Sequence, residues 1–169
     1  MISLVVGGKT GIGKSIVEVL RSRGDEVYTF SRRKSKDKNH TSIDLSSKTS
    51  IKKIEDLLGN RLIDNLIFCH RYRGDDRKIE YEITVEAVCE VIEMLKDKFK
   101  KNGSIVVLSS PASNLIFDEQ AVEYHTSRAA LESLIRYYAV RLGAQGIRCN
   151  CVLPGTVIKE ENRNFLTED

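Results

Sequence analysis

The chain has 169 residues, 41% hydrophobic and 30% charged, enough apolar material for one domain with a real core and an ordinary balance for a globular protein. Its formal net charge of +3 is small and its basic residues form no stripe interleaved with aromatics, which gives nucleic-acid binding no support. Four cysteines without a CxxC pair and three histidines without ligand spacing speak against a metal site or a disulfide framework, and the lack of a basic leader or of an apolar run near ~18 residues reads as a cytoplasmic protein with no membrane partner.

Apolar runs and helical patterns alternate along the chain. A strand at 2–6 leads through a glycine-rich turn into a helix at 12–23, on which Ile12, Ile16, Val19 and Leu20 recur at helical spacing and which Gly24 stops. Strands at 26–30 and 42–44 follow. Between them Arg32, Arg33, Lys34, Lys36 and Lys38 cluster in a loop that is either simply solvated or binds phosphate. A helix at 47–58 has Ser47 as its N-cap and Gly59 as its stop; a strand at 62–69 then opens into a densely charged loop, 71–80, that should face solvent. A helix at 81–100, a strand at 104–108, a helix at 121–142 and a strand at 147–152 complete six strands. This alternation implies the α/β class, a doubly wound parallel sheet with helices on both faces. The runs Leu-Ile-Phe-Cys and Ile-Val-Val-Leu suit its central strands, which are buried on both sides.

Two nucleotide-binding fingerprints overlap in the first turn. Read from Gly8, the segment is GxxxxGKS, a phosphate loop whose Lys14 would reach terminal phosphates and whose Ser15 would hold magnesium. Read from Gly7, it is GxxxGxG, a dinucleotide-binding turn. The first reading needs a second carboxylate for magnesium at the end of a buried strand. The central strands end instead in Cys69-His70 and Ser109-Ser110, and Asp64 opens its strand, so the dinucleotide reading is the stronger one.

That reading gains support from further segments: Val6-Gly7-Gly8-Lys9-Thr10-Gly11-Ile12-Gly13, Asp44-Leu45, Asp64-Asn65-Leu66-Ile67, Ser109-Ser110, Tyr124-His125-Thr126-Ser127-Arg128-Ala129-Ala130 and Gly146-Ile147-Arg148-Cys149-Asn150-Cys151-Val152-Leu153-Pro154-Gly155. In this order and at these spacings the chain resembles the short-chain dehydrogenases/reductases over essentially its whole length. The resemblance implies a single Rossmann-type NAD(P)-binding domain over 1–169, with the family's substrate loop, final helix and seventh strand expected to follow Asp169.

It also implies roles. Gly7, Gly11, Ile12 and Gly13 would admit the pyrophosphate at the positive N-terminus of the first helix. Where NAD-preferring members carry an acidic residue, this chain has Ser31-Arg32-Arg33, and guanidinium groups suit a 2′-phosphate; NADP(H) is therefore favoured over NAD(H), with Lys9 as a helper. Asp44 would face the adenine amino group or else cap a strand end. Tyr124 would exchange a proton with the substrate oxygen while hydride moves to or from the nicotinamide, and Ser110 would hydrogen-bond that oxygen, with Ser109 as a substitute. The family's Lys four residues after the Tyr, which aids the proton transfer and bonds the cofactor's ribose hydroxyls, is Arg128 here, and its helix Asn is Thr84. A cation at ~4 Å in an effective dielectric of ~20 contributes about 4 kcal/mol whichever residue carries it, but Arg is a longer, planar fork. Pro154 and Gly155 match the turn against the nicotinamide, and Lys159 stands where a Thr is expected. His125 and His70 read as bystanders, His125 on the surface; Leu131, Leu134, Ile135 and Tyr138 read as helix core or partner contacts.

The function this implies is reversible alcohol-to-ketone conversion on a small molecule, with a sugar or sugar-nucleotide suggested by the tail. A homodimer or homotetramer would form through the helices at 81–100 and 121–142. The rivals are a catalytically lapsed dinucleotide-binding or scaffold protein, favoured by Arg128 and Thr84, and, more weakly, a phosphate-loop NTPase.

Overall fold

The computed structural model describes residues 1–157. Its centre is a six-stranded, wholly parallel sheet in the order β3-β2-β1-β4-β5-β6. The strands are β1 (Ile2–Val6), β2 (Glu26–Ser31), β3 (His40–Ser42), β4 (Ile63–Phe68), β5 (Phe99–Leu108) and β6 (Arg148–Val152). Parallel neighbours need crossovers, and helices supply them: α1 (Gly11–Ser22), α2 (Lys48–Leu58), α3 (Arg77–Tyr81), α4 (Ala87–Leu95) and α5 (Val122–Gly143).

Alternation along the strands divides the core. Leu4, Val6, Phe30, Leu66, Phe68, Ile105 and Val107 point to one face, where Ile54 of α2, Val88 and Ile92 of α4 and Ile135 of α5 cover them. Val5, Val27 and Ile67 point to the other, against Val17 and Leu20 of α1. Truncating a fully buried side chain such as Ile54 to Ala costs about 2–5 kcal/mol. Gly8 sets the seating of α1, since a Cβ there would lie 2.9 Å from Val17 Cγ2 and 3.0 Å from Val5 Cγ1.

Local signals place the helix ends. Ser47 Oγ accepts from Ser50 N at the start of α2, and Gly59, at φ 55, ends it. Gly24, at φ 87, follows α1.

Three elements depart from the sequence expectation. β3 lies at His40–Ser42 rather than 42–44: His40 Nδ1 bonds Thr29 Oγ1 at 2.9 Å, and Asp44 turns back to accept from Ser46. A carboxylate that hydrogen-bonds its own neighbours favours such a turn over a strand. The helix expected at 81–100 begins earlier, because Asp76 caps it by accepting from Lys78 N and Ile79 N. It widens into a π-helical turn at Glu82–Glu86 and is α-helical only to Leu95. The β-branched run Ile83-Thr84-Val85, which loses rotamer freedom in a tight helix, sits in that wide turn. β5 accordingly starts at Phe99, and its register against β4 shifts between Ile63 and Asn65. Among the described residues no helix is long and apolar enough to cross a membrane.

Candidate functional site

A cleft of about 660 Å³ runs along the C-terminal ends of the strands, where the order of the sheet reverses between β1 and β4. Sheet order sets its layout. The end of β2 and the segment after it contribute Ser31, Arg32 and Arg33, the turn after β1 and the start of α1 contribute Gly7 and residues 9–12, the segment after β4 contributes Cys69 to Arg73, and the segment after β5 contributes Ser109 and Ser110.

The turn after β1 requires its glycines. Gly7 has φ 85, and a Cβ on it would lie 2.5 Å from His70 N; a Cβ on Gly13 would run into the carbonyl oxygen of Gly7. Gly11 has φ 53. The amides of 11–13 open α1 and have no intrahelical acceptor, and the Thr10 side chain makes no capping bond among the described residues, so this end presents donors and a positive dipole. Lys14 and Ser15 do not line the cleft. Both are exposed, and Lys14 Nζ stands 3.9 Å from Glu18 Oε1 one turn along the helix.

At the basic end, Lys9 Nζ donates to Ser35 Oγ at 2.7 Å, and Lys9, Arg32 and Arg33 all line the cleft. Ser31 Oγ donates to Arg33 O at 3.3 Å. Asp44 lines the cleft while accepting from Ser46 N at 3.0 Å and Ser46 Oγ at 2.8 Å; these bonds hold its carboxyl below the ordinary range, with the Arg32 charge adding a smaller push. It is a strand-end cap with a face on the cleft.

The other end centres on Tyr124, in the first turn of α5. The Arg128 guanidinium, one turn on, lies 4.8 Å from the Tyr124 ring centroid, and that of Arg71 lies 4.4 Å from it. Arg128 is 3% exposed, and burial lowers its pKa while Tyr124 and then Glu80 oppose that shift. Its Nη2 is 3.4 Å from Glu80 Oε1, an oxygen that also accepts from Thr84 Oγ1 at 2.9 Å and Ser127 Oγ at 2.8 Å. Thr84 therefore belongs to a buried network behind Arg128 and does not line the cleft. Ser110 lines the cleft and its Oγ caps Ala112 N at 3.3 Å. Ser109 is turned to α5, donating to Glu132 Oε1 at 2.9 Å. Pro154 and Gly155 close the same end; Lys159 lies outside the described residues.

Glu80 and Arg71 were not singled out by sequence reasoning, and His70 only as a bystander. Glu80 is 6% exposed, against the expectation of a solvent-facing loop, because it ends up on α3 packed against α5. Both histidines depart from their bystander reading. His125, 8% exposed, accepts from Phe117 N at 3.0 Å through Nε2 and bonds Ala121 O through Nδ1, tying the preceding loop to α5. His70 lines the cleft, and burial lowers its pKa from 6.5 to about 4. Burial also pushes the cleft-lining Cys69 thiol up to about 12, which keeps it a thiol and no nucleophile.

Residues 70–168 match the family model described as Enoyl-(Acyl carrier protein) reductase. A stretch of 66 residues is 44% identical to the L-rhamnose 1-dehydrogenase (NAD(P)(+)) of Sphingomonas sp. (strain SKA58), covering 39% of this chain and 26% of that enzyme, so the match spans about a quarter of the relative's length. The fold superposes with a TM-score of 0.84 on a short chain dehydrogenase family protein from Francisella tularensis, at 26% identity over 97% of this chain and 73% of that one. It superposes equally, at 0.84, on the Pseudomonas aeruginosa RhlG/NADP active-site complex, at 23% identity over 99% and 76% of the two chains.

Proposed function

Because this chain belongs to the short-chain dehydrogenase/reductase family, we propose that it is an oxidoreductase that binds NADP(H) along the cleft and interconverts an alcohol and a ketone, with Tyr124 as acid and base. The observation that carries this reading is a single cleft joining a turn that only glycine fits to a tyrosine flanked by two guanidiniums.

The residues suit the cofactor. Gly7 and Gly13, whose Cβ positions are taken by the backbone of His70 and by the Gly7 carbonyl, close the turn tightly, so that its backbone and the first amides of α1 would face a pyrophosphate in the cleft. Lys9, Arg32 and Arg33 offer donors and charge for a 2′-phosphate, and β2 ends in Ser31 with no carboxylate to grip a free ribose diol instead. When bound, the nicotinamide supplies or accepts the hydride. Tyr124 hands its hydroxyl proton to the carbonyl oxygen in reduction and takes it back in oxidation. The Arg128 and Arg71 guanidiniums flank the Tyr124 ring, Ser110 Oγ would donate a hydrogen bond to the same substrate oxygen, and Glu80 holds Arg128 from behind.

The relative's activity on L-rhamnose supports a sugar as substrate. Exposed Tyr137 and Val140 on α5 support a homodimer or homotetramer through α4 and α5. A second reading, a lapsed dinucleotide-binding protein, is favoured by the Glu80 carboxylate, which cancels part of the Arg128 charge that Tyr124 needs. Fluorescence titration with NADPH, NADH and ATP with magnesium tests the binding claim: NADPH should bind most tightly, and tight ATP binding without either dinucleotide overturns it. A panel of aldoses and enoyl thioesters then tests turnover.

A further inference from the structure

The Tyr124 end of the cleft carries two guanidiniums, and only one of them meets a carboxylate. Arg128 lies 4.8 Å from the Tyr124 ring centroid, and the buried Glu80 carboxylate stands 3.4 Å from its Nη2. Arg71 lies 4.4 Å from the same centroid, and its Nη2 donates to the neutral amide oxygen of Gln120 at 2.9 Å. Among the described residues no carboxylate pairs with it. Glu123, in the first turn of α5, is held by Arg77 at 2.7 Å and Glu80 by Arg128. Glu119 also lines this end of the cleft, but it is exposed to solvent, which screens its charge. The Arg71 charge reaches Arg128, whose pKa is lowered chiefly by burial and further by Arg71.

The course of the Arg71 side chain separates it from the cofactor's phosphates. The segment after β4 abuts the glycine turn at His70 N, yet both Arg71 contacts, Gln120 and Tyr124, lie at the start of α5. All three residues line the cleft there. A guanidinium is a planar fork of N–H donors that matches a carboxylate with two parallel hydrogen bonds, and the single bond to Gln120 leaves most of that fork open.

We propose that Arg71 receives a carboxylate on the substrate, so that the compound whose carbonyl or alcohol meets Tyr124 is a keto or hydroxy acid, acidic sugars included. The proposal rests on the hydride-transfer reading and names its substrate class. An oxygen held at the Tyr124 hydroxyl brings the adjoining carbons of the same molecule toward the guanidinium that lies against the tyrosine ring. No bond is made or broken at Arg71, which selects and orients.

The test titrates the protein calorimetrically, with and without NADPH, in wild type, Arg71→Met and Arg71→Lys. The probes are pyruvate and gluconate, their neutral counterparts hydroxyacetone and glucose, and inorganic phosphate. Charge-assisted hydrogen bonds predict that at least one acid binds about 10- to 100-fold more tightly than its neutral counterpart, and that Arg71→Met removes this preference. Arg71→Lys, which keeps the charge without the fork, should recover part of it. Steady-state kinetics on keto acids and matched neutral ketones should show the acid-to-neutral ratio of kcat/KM falling by the same factor in Arg71→Met, through KM. Wild-type protein that binds neither acid more tightly than its neutral counterpart overturns the proposal, as does phosphate bound more tightly than both acids. An equal fall in kcat on acids and neutral ketones, with the ratio unchanged, overturns it too, because it marks a residue that serves Tyr124. So does an NADPH Kd weakened as much as that of the acid, which marks a ligand of the cofactor's phosphates. Absence of NADPH binding, or of turnover on every substrate, contradicts the oxidoreductase reading instead, while an Arg71-dependent preference for acids in the calorimeter is decided apart from either.

Discussion

Removing the Glu80 carboxylate strands the cation beside the proposed catalytic tyrosine. In Glu80→Gln the side-chain oxygen can still accept from Thr84 and Ser127, but the charge 3.4 Å from Arg128 Nη2 is gone. Coulomb attraction at that distance and an effective dielectric of ~20 is about 5 kcal/mol before desolvation is counted. Breaking one side of a buried pair typically costs about 3–5 kcal/mol, and with both partners under a tenth exposed and a contact this long the low end applies. The expected loss is about 3 kcal/mol in urea unfolding at pH 7, or roughly 6–12 °C in Tm for a chain of this size. Much of that loss comes from an orphaned charge, so Glu80→Gln/Arg128→Met should be more stable than Glu80→Gln alone. A loss below about 1 kcal/mol in the single variant, or a double variant whose losses merely add, would refute the reasoning.

Other expectations are as direct. Gly13→Ala drives a methyl into the Gly7 carbonyl and should abolish NADPH binding in a fluorescence titration; wild-type affinity in that variant would remove the turn from the site. Arg32→Asp should cost NADPH at least about 10-fold in affinity and leave NADH unchanged or tighter, measured by the ratio of the two Kd values. His70 makes stability depend on pH. Its folded pKa is about 4 against 6.5 for the free side chain, so between those values the unfolded chain binds more protons. Stability therefore falls as pH drops from about 6.5 toward 4, by up to about 3 kcal/mol, and is untouched by this group above 6.5. Urea midpoints across that window should show the slope, and His70→Leu should flatten it.

Alternating apolar runs made the six strands and the parallel sheet legible, since a strand such as β4 buries both faces and leaves little choice of class. The glycine turn was legible because its constraint is local: Gly7 and Gly11 act through their positive φ angles, and Gly13 through the Gly7 carbonyl beside it. The Tyr124–Arg128 spacing was equally local, being one helical turn. What sequence could not supply was tertiary. Glu80 looked like one more charge in a polar loop, and only the packing of α3 against α5 brings it to Ser127 and Arg128, 47 and 48 residues away. His70 and His125 look alike in sequence to surface histidines, and their burial follows from the π-helical turn and the loop before α5. The edge strand β3 was misplaced because three residues carry little periodicity and the Asp44 turn competes for them.

The central claim is that Tyr124 moves a proton in a hydride-transfer reaction fuelled by NADPH. NADPH oxidation, followed by absorbance across a panel of aldoses and ketones in the wild type and in Tyr124→Phe, measures it most directly. Turnover should fall about 10²- to 10⁴-fold in the variant while its NADPH Kd stays within about 2-fold of wild type. Equal turnover in the two proteins, or none in the wild type on any substrate, would contradict the claim.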